Sequence, residues 1–236
     1  MIPYLMDTRT ERLIGPARSG AHRTERGAQR VHDLTVVAAE LFLDRGYDSV
    51  SVDELIERVG GSRRNIYGHF GGKEGLFRAA MMHVANEMAR PLDLLTIEGG
   101  NAVEVLPAFG REMVRTALSP RTLAVHRMLI NEGKRFPDIS QAMLAASYDK
   151  IRDKLSAWIA TQQADPSTDF TTTLDAPVLA EHFMSMTSSD VKLRAHVGQL
   201  TPPLDDAELD AIVGAAVQTF LYGAAADPAP LRQRDG

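Results

Sequence analysis

Residues 51–77, SVDELIERVGGSRRNIYGHFGGKEGLF, limit what this chain can fold into more sharply than any other stretch. Val52, Leu55, Ile56 and Val59 fall at i, i+3, i+4 and i+7, the spacing that gathers apolar side chains on one face of a helix. Ser51 and Glu54 stand at its start as S-x-x-E, where the serine oxygen accepts from one orphan amide and the glutamate reaches back to another. Gly60 and Gly61 supply the positive φ that stops a helix and turns the chain within a few residues. Ser62 is the next natural N-cap, and Ile66 and Phe70, four apart, face inward from a second short helix. Two short helices joined by so tight a corner read as a helix-turn-helix.

The first turn of the second helix holds Arg63, Arg64 and Asn65. Arginines there oppose the positive end of the helix dipole, a conflict that a polyanion would relieve. Major-groove DNA is such a polyanion, since residues near the N-terminus of a recognition helix reach base edges, where arginine pairs with guanine and asparagine with adenine. The plain alternative is a solvated basic face on a small helical bundle.

The residues on either side of this turn decide between the two. IERVGGSRRNIYGHFGGKEGLF resembles the segment that identifies the TetR/AcrR family of transcriptional regulators, in which a glycine-containing turn leads to a recognition helix ending Tyr-x-His-Phe and then to a Lys-Glu-x-Leu helix start. Tyr67, His69, Phe70, Lys73, Glu74 and Leu76 match in order and spacing. The resemblance implies that Tyr67, His69 and Lys73 hold phosphates, with Ser51 and Ser62 beside them, and that Arg63, Arg64 and Asn65 read bases; phosphate contacts set register while base contacts carry sequence. The chain departs from the family pattern at Ile56, where a small residue is usual, at Gly61, where an apolar one is, at Arg64, often small, and at Gly72, which replaces a polar N-cap. These departures imply wider helix packing, a looser turn, a different operator and a weaker cap, respectively.

The 236 residues, 44 % of them hydrophobic, suffice for a sizeable core, and the absence of cysteine excludes disulfides, thiol catalysis and cysteine-ligated zinc. Neither a long apolar span nor a leader stretch is evident, which fits a cytoplasmic protein. Residues 1–90 carry 13 basic and 12 acidic side chains, whereas residues 91–236 carry 13 and 19, so the acidic excess lies away from the helix-turn-helix. Arg-, Gly- and Pro-containing residues 1–28 read as a flexible basic arm, and Arg23, Arg26 and Arg30 as the part of it able to enter a minor groove. A helix with Val31, Leu34, Ala38, Leu41 and Phe42 on one stripe comes next and closes the bundle. With Phe42 and Tyr47 it extends the resemblance to residues 30–80. The next helix runs from Lys73 to about Arg90, where Pro91 ends it, and in the family it is the lever between ligand pocket and DNA-binding head.

The remainder reads as further helices over about 101–118, from Ser119-Pro120 to the residues before Phe136, 140–163, 177–188 or beyond, and 205–222. EGKRFP (132–137) resembles the E-x-x-R-F-P of one branch of the family's regulatory domains. The expected fold is therefore all-α: a three-helix DNA-binding head (29–76), a helical ligand-binding and dimerisation domain (77–225) and a flexible tail (226–236). Met113, His126, Tyr148, Trp158, Phe183 and Met186 lie on inner stripes of different helices and could line an apolar effector pocket, or simply fill a core. His126 and His182 lack neighbours at metal-ligand spacing, so neither a metal nor a cofactor is expected. Leu209, Val213, Ala216, Val217 and Phe220 form a continuous stripe on the last helix, the expected half of a homodimer interface, with ordinary core packing as the alternative. These features together predict a dimeric repressor that binds a pseudo-palindromic operator as double-stranded DNA and releases it on binding a small, largely apolar molecule. A DNA-binding regulator with no effector stays open, as does a helical enzyme, although the chain has no phosphate loop, G-x-S-x-G or H-E-x-x-H.

Overall fold

A computed structural model of the chain describes residues 19–97, 99–168, 170 and 174–223, with side chains from residue 27 onward. Among the described residues the chain forms helices and no strands. In order these are α1 (Ser19–Ser49), α2 (Val52–Val59), α3 (Arg63–Phe70), α4 (Lys73–Leu94), α5 (Ala102–Ala117), α6 (Pro120–Glu132), α7 (Pro137–Leu144), α8 (Lys150–Ala164), α9 (Ala176–His196) and α10 (Asp206–Tyr222).

Their ends obey the local chemistry of the sequence. Ser51, Ser62, Asn101, Ser119 and Asp205 each accept an amide hydrogen bond from the first turn of the helix they precede, and Asp205 with Glu208 completes a reciprocal capping box. The box expected at Ser51 is only half made. Glu54 turns its carboxylate to Arg45 and Arg58 instead, because two guanidinium groups attract it more than a single backbone amide does. Gly72, as its lack of a side chain dictates, caps α4 with no side-chain hydrogen bond.

Three boundaries differ from expectation. The backbone from Ser19 to residue 28, read as part of a flexible arm, is helical and continuous with α1; residues 1–18 lie outside the described residues. Pro91 does not end α4, which runs on to Leu94: the missing N–H leaves one carbonyl unpaired, a small cost so near a solvent-exposed helix end. The helix expected over 140–163 begins earlier, at Pro137, and is interrupted by a π-helical turn, Ala145–Asp149, before α8.

That π turn falls where the chain passes from one apolar cluster to the other. The first cluster joins Leu34, Phe42 and Tyr47 of α1, Leu55 of α2, Ile66 of α3 and Phe77, Met81 and Val84 of α4 to Val125 and Met128 of α6, Phe136, and Ile139 and Met143 of α7. Phe77 sits between rings at its centre, with Phe42, Tyr47 and Phe136 at centroid distances of 5.1, 5.1 and 4.6 Å. The second cluster is built by α5, α8, α9 and α10 around Leu106, Val114, Leu155, Ile159, Phe183 and Val213. Residues 76 and 77, where the head was expected to end, both lie inside the first cluster.

Candidate nucleic-acid interface

Ile66, 2 % exposed, and half-buried Phe70 pin α3 to the first cluster, and Leu55 does the same for α2. What remains of α3 points outward: Arg63, Arg64, Asn65, Tyr67, Gly68 and His69 are all exposed. Gly60 and Gly61, at φ 80° and 119°, make the corner that turns this face away from the bundle. The structure thus gathers Arg63, Arg64, Asn65, Tyr67 and His69 on one short helix, with Ser62 at its start and Ser51 at the start of α2. The oxygens of Ser51 and Ser62 accept cap hydrogen bonds of 3.1 and 3.3 Å, which leaves each hydroxyl proton able to donate outward. Tyr67 lies against the backbone of Gly72, where a Cβ would approach its ring to 3.3 Å, so the phenol is held at the α3–α4 corner although 59 % exposed.

Two contacts were invisible in the sequence. Asp53 on α2 accepts both Arg63 Nε, at 2.7 Å, and a terminal nitrogen of the same guanidinium, which holds the Asp53 carboxyl below its usual range. Both side chains are largely exposed, so the pair is weak in water and a guanine edge or phosphate can displace the carboxylate. Lys73, at the start of α4, donates to the carbonyl of Asp48 at 3.3 Å and stands 4.4 Å from the centroid of the Tyr47 ring. Partial burial pushes its ammonium below the ordinary lysine value, with Arg135 adding to the effect. An ammonium has three protons, so one carbonyl bond leaves donors for a phosphate. Arg135, in the EGKRFP stretch between α6 and α7, also stands 4.4 Å from the Tyr47 centroid and pairs with Asp48 at 2.9 Å. The helix-turn-helix lysine and a residue of the body thereby share one ring and one aspartate.

Of the expected arm, Arg30 is exposed on α1, while the side chains of Arg23 and Arg26 lie outside the described residues. In the body, Met113, Trp158 and Phe183 meet in the second cluster and Tyr148 packs at its margin. Met186 does not join them. It is 40 % exposed on the outer face of α9, one residue off the stripe that Phe183 and Thr187 bury. His126 is half-buried and faces His196 of α9 across 5.9 Å. The stripe expected to form a dimer interface is turned the other way: Leu209, Val213, Ala216 and Val217 are at most 7 % exposed and pack within the chain, with Phe220 against Phe183 and Phe170. An unbroken apolar stripe satisfies an intramolecular core before it serves a partner, and here α5 and α9 cover it.

Burial, with Lys192 and His196 as neighbours, lowers the His126 pKa from 6.5 to about 4. Between those values the unfolded chain binds a proton that the folded chain does not, so stability should fall as pH drops from about 6.5 to about 4 and be flat on either side for this group. Allowing for solvent screening, His126 should account for on the order of 1–2 kcal/mol of that loss. Urea midpoints at the two ends of the window check it: His126→Gln should flatten the difference, and an unchanged pH dependence would place its origin elsewhere.

Helices α1 to α3, presenting the outer face of α3 and carried on a larger helical body, define a helix-turn-helix regulator of the all-α class. The chain belongs to the TetR family. Residues 34–80 match the model described as bacterial regulatory proteins, tetR family, and residues 104–224 match that of the AefR-like transcriptional repressor C-terminal domain. Among curated proteins, the HTH-type transcriptional activator FasR of Mycolicibacterium smegmatis is 40 % identical over 59 residues, 25 % of this chain and 27 % of that one. The chain thus spans about a quarter of the length of that relative. Among solved structures, a TetR-family transcriptional regulator from Mesorhizobium loti superposes with a TM-score of 0.65 at 21 % identity, covering 83 % of this chain and 96 % of that one. The flavonoid-responsive regulator FrrA superposes at 0.64 and 22 %, covering 82 % and 96 %. No described helix is long and apolar enough to cross a membrane.

Proposed function

We propose that the chain is a dimeric transcriptional repressor that binds a pseudo-palindromic DNA operator through α3 and releases it when a small, largely apolar molecule enters the body. The observation that carries this reading is the outward face of α3: its basic and polar side chains all point away from a core to which Ile66 alone anchors it tightly. The family's repressor-type C-terminal domain and a fold neighbour named as flavonoid-responsive support a ligand-controlled regulator. In this reading Arg63, Arg64 and Asn65 read bases, Ser51, Ser62, Tyr67, His69 and Lys73 hold phosphates, and Arg30 is placed to approach the adjoining groove.

Dimerisation is assigned to the outer faces of α9 and α10, which on α10 is the face opposite the stripe the sequence suggested. Val178, Met186 and Leu193 recur along the exposed side of α9, with Val197 at its C-cap, and Ala207, Ala211, Gly214, Ala215, Gln218 and Tyr222 along that of neighbouring α10. Small residues on α10 allow a second pair of helices to approach closely, while the larger apolar groups of α9 supply area. Signal transfer from body to head has ready connections. Arg121 of α6 pairs with Glu40 of α1 and Glu87 of α4, Arg78 of α4 with Asp138 of α7, and Arg135 with Asp48.

Fluorescence anisotropy against the DNA flanking the gene, with a scrambled duplex as control, tests the reading. Arg64→Ala should change which bases are preferred, at about 1–3 kcal/mol for the affected position, whereas Lys73→Ala should weaken all sites alike and reduce the salt slope by about one. Equal effects of the two substitutions would break the division of roles.

A further inference from the structure

The body holds a cluster of basic groups that neither core nor surface accounts for. His126 of α6 and His196, the last residue of α9, face each other with ring centroids 5.9 Å apart and planes tilted by 45°. Both ring nitrogens of His196 are shut off from solvent and have no hydrogen-bond partner among the described residues. Buried polar atoms are almost always paired, so an imidazole orphaned at both nitrogens marks a place where a partner belongs. Lys192, one turn before His196, is half-buried beside them, and burial lowers its ammonium pKa. The charged groups acting on the two rings are Lys192, Arg127 and the His126–His196 pair itself, all of one sign. Arg127 is exposed, but holding the half-buried ammonium of Lys192 beside the two rings is costly without a counter-charge.

The cluster also lies at the edge of the second apolar cluster. Val191 and Ala195, which alternate with Lys192 and His196 along α9, both pack into it. A basic, donor-rich end next to an apolar interior matches an amphipathic anion. A divalent cation matches less well: two imidazoles at this separation could share one, yet Lys192 would repel it, and among the described residues no third His, Cys, Asp or Glu completes a ligand group.

We propose that Lys192, His196 and His126 receive the carboxylate head of the effector, with its apolar tail lying among the side chains of the second cluster. This deepens the reading of the chain as a ligand-released repressor and rests on it. A planar carboxylate offers enough lone pairs to accept from the ammonium and from one N–H of each ring. It also has a route to the DNA-binding head. His126 shares α6 with Arg121, whose guanidinium bonds both Glu40 of α1 and Glu87 of α4, so drawing α6 toward α9 acts directly on the two helices that carry α2 and α3. A ligand that prefers this drawn arrangement must weaken DNA binding in proportion to that preference.

The test uses the full chain, n-alkanoates from butanoate to hexadecanoate, the matching n-alkanols and alkyltrimethylammonium ions. Thermal unfolding and calorimetric titration are run on the wild type, Lys192→Met and His126→Gln. At least one alkanoate should raise the wild-type midpoint by several degrees, and each substitution should weaken its binding by about tenfold or more. Alkanols should not distinguish the variants. Lys192→Met should unfold at a higher temperature than the wild type without ligand, since it removes an uncompensated charge, a gain that loss of a merely structural lysine would not give. Absence of alkanoate binding, equal binding by all three proteins, or stabilisation by nickel ion that Lys192→Met retains and His126→Gln loses would each overturn the site. DNA anisotropy separates the two levels of inference. An alkanoate that binds through Lys192 without releasing operator leaves the site standing and defeats its effector role. A neutral compound that releases operator equally from wild type and Lys192→Met defeats the site and leaves the repressor reading intact.

Discussion

Gly75→Ala is expected to abolish tight operator binding through a single added methyl group. A Cβ at this position in the first turn of α4 would fall 1.7 Å from the carbonyl oxygen of Phe70 and 2.8 Å from its carbonyl carbon. Both are backbone atoms of the last residue of α3, so no side-chain rotation can make room. Either α4 unwinds its first turn or the end of α3 moves away, by more than about 1 Å on van der Waals grounds. Overpacking of this kind costs about 1–3 kcal/mol of stability, which a chain of this size survives. Recognition is less forgiving, since Arg63, Arg64 and Asn65 ride on the displaced helix and hydrogen bonds weaken steeply with misalignment. Operator affinity should fall about a hundredfold while the circular dichroism of the folded state persists. Gly68→Ala, on α3 with nothing in the chain within 4 Å of its added Cβ, is the control for folding and should leave the unfolding midpoint unchanged or slightly raised. Wild-type affinity in Gly75→Ala would mean that α3 and α4 adjust freely against each other.

The second large effect concerns assembly. Leu193, 61 % exposed on α9, and exposed Ala215 of α10 lie on the outer face assigned to the dimer, and the double substitution Leu193→Asp with Ala215→Asp should give folded monomers in ultracentrifugation. Operator affinity should fall by about two to four orders of magnitude, because two recognition helices would no longer share one binding event. Val217→Asp offers the opposite contrast. Val217 is 7 % exposed within the second cluster, so aspartate there should unfold the body rather than dissociate it. A double variant that sediments as a dimer would move the interface elsewhere on the surface.

The contrast between those positions also marks how far the sequence could be read. Local chemistry was legible: the caps at Ser51, Ser62 and Ser119, the glycine corner, and the inward pair Ile66 and Phe70 depend on neighbours a few residues apart. Choices made between distant elements were not. The α10 stripe reads the same whether a partner copy or α5 and α9 covers it, and only the three-dimensional arrangement decides. Asp53 meets Arg63 because the corner folds α2 back beside α3, and Lys192 meets His126 because α6 and α9 cross; no spacing in the sequence encodes either. Met186 was misplaced by a single helical step, an error that periodicity cannot correct when the stripe is wide. Nothing in EGKRFP itself says what it meets; in the structure its Arg135 ties the α6–α7 corner to Tyr47 and Asp48.

The continuity of the first apolar cluster, from α1 through α4 into α6 and α7, bears on how such a protein can be taken apart or rebuilt. Phe136 packs on both Phe77 and Tyr47, which with Phe42 make one cluster of rings, so cutting the chain after residue 80 would leave a large aromatic surface bare. The helix-turn-helix is therefore no detachable cartridge. A chimaera that borrows residues 29–80 from a relative would have to import the matching faces of α6 and α7 as well, and the natural unit of exchange is the whole first cluster, with the π turn after α7 as its seam.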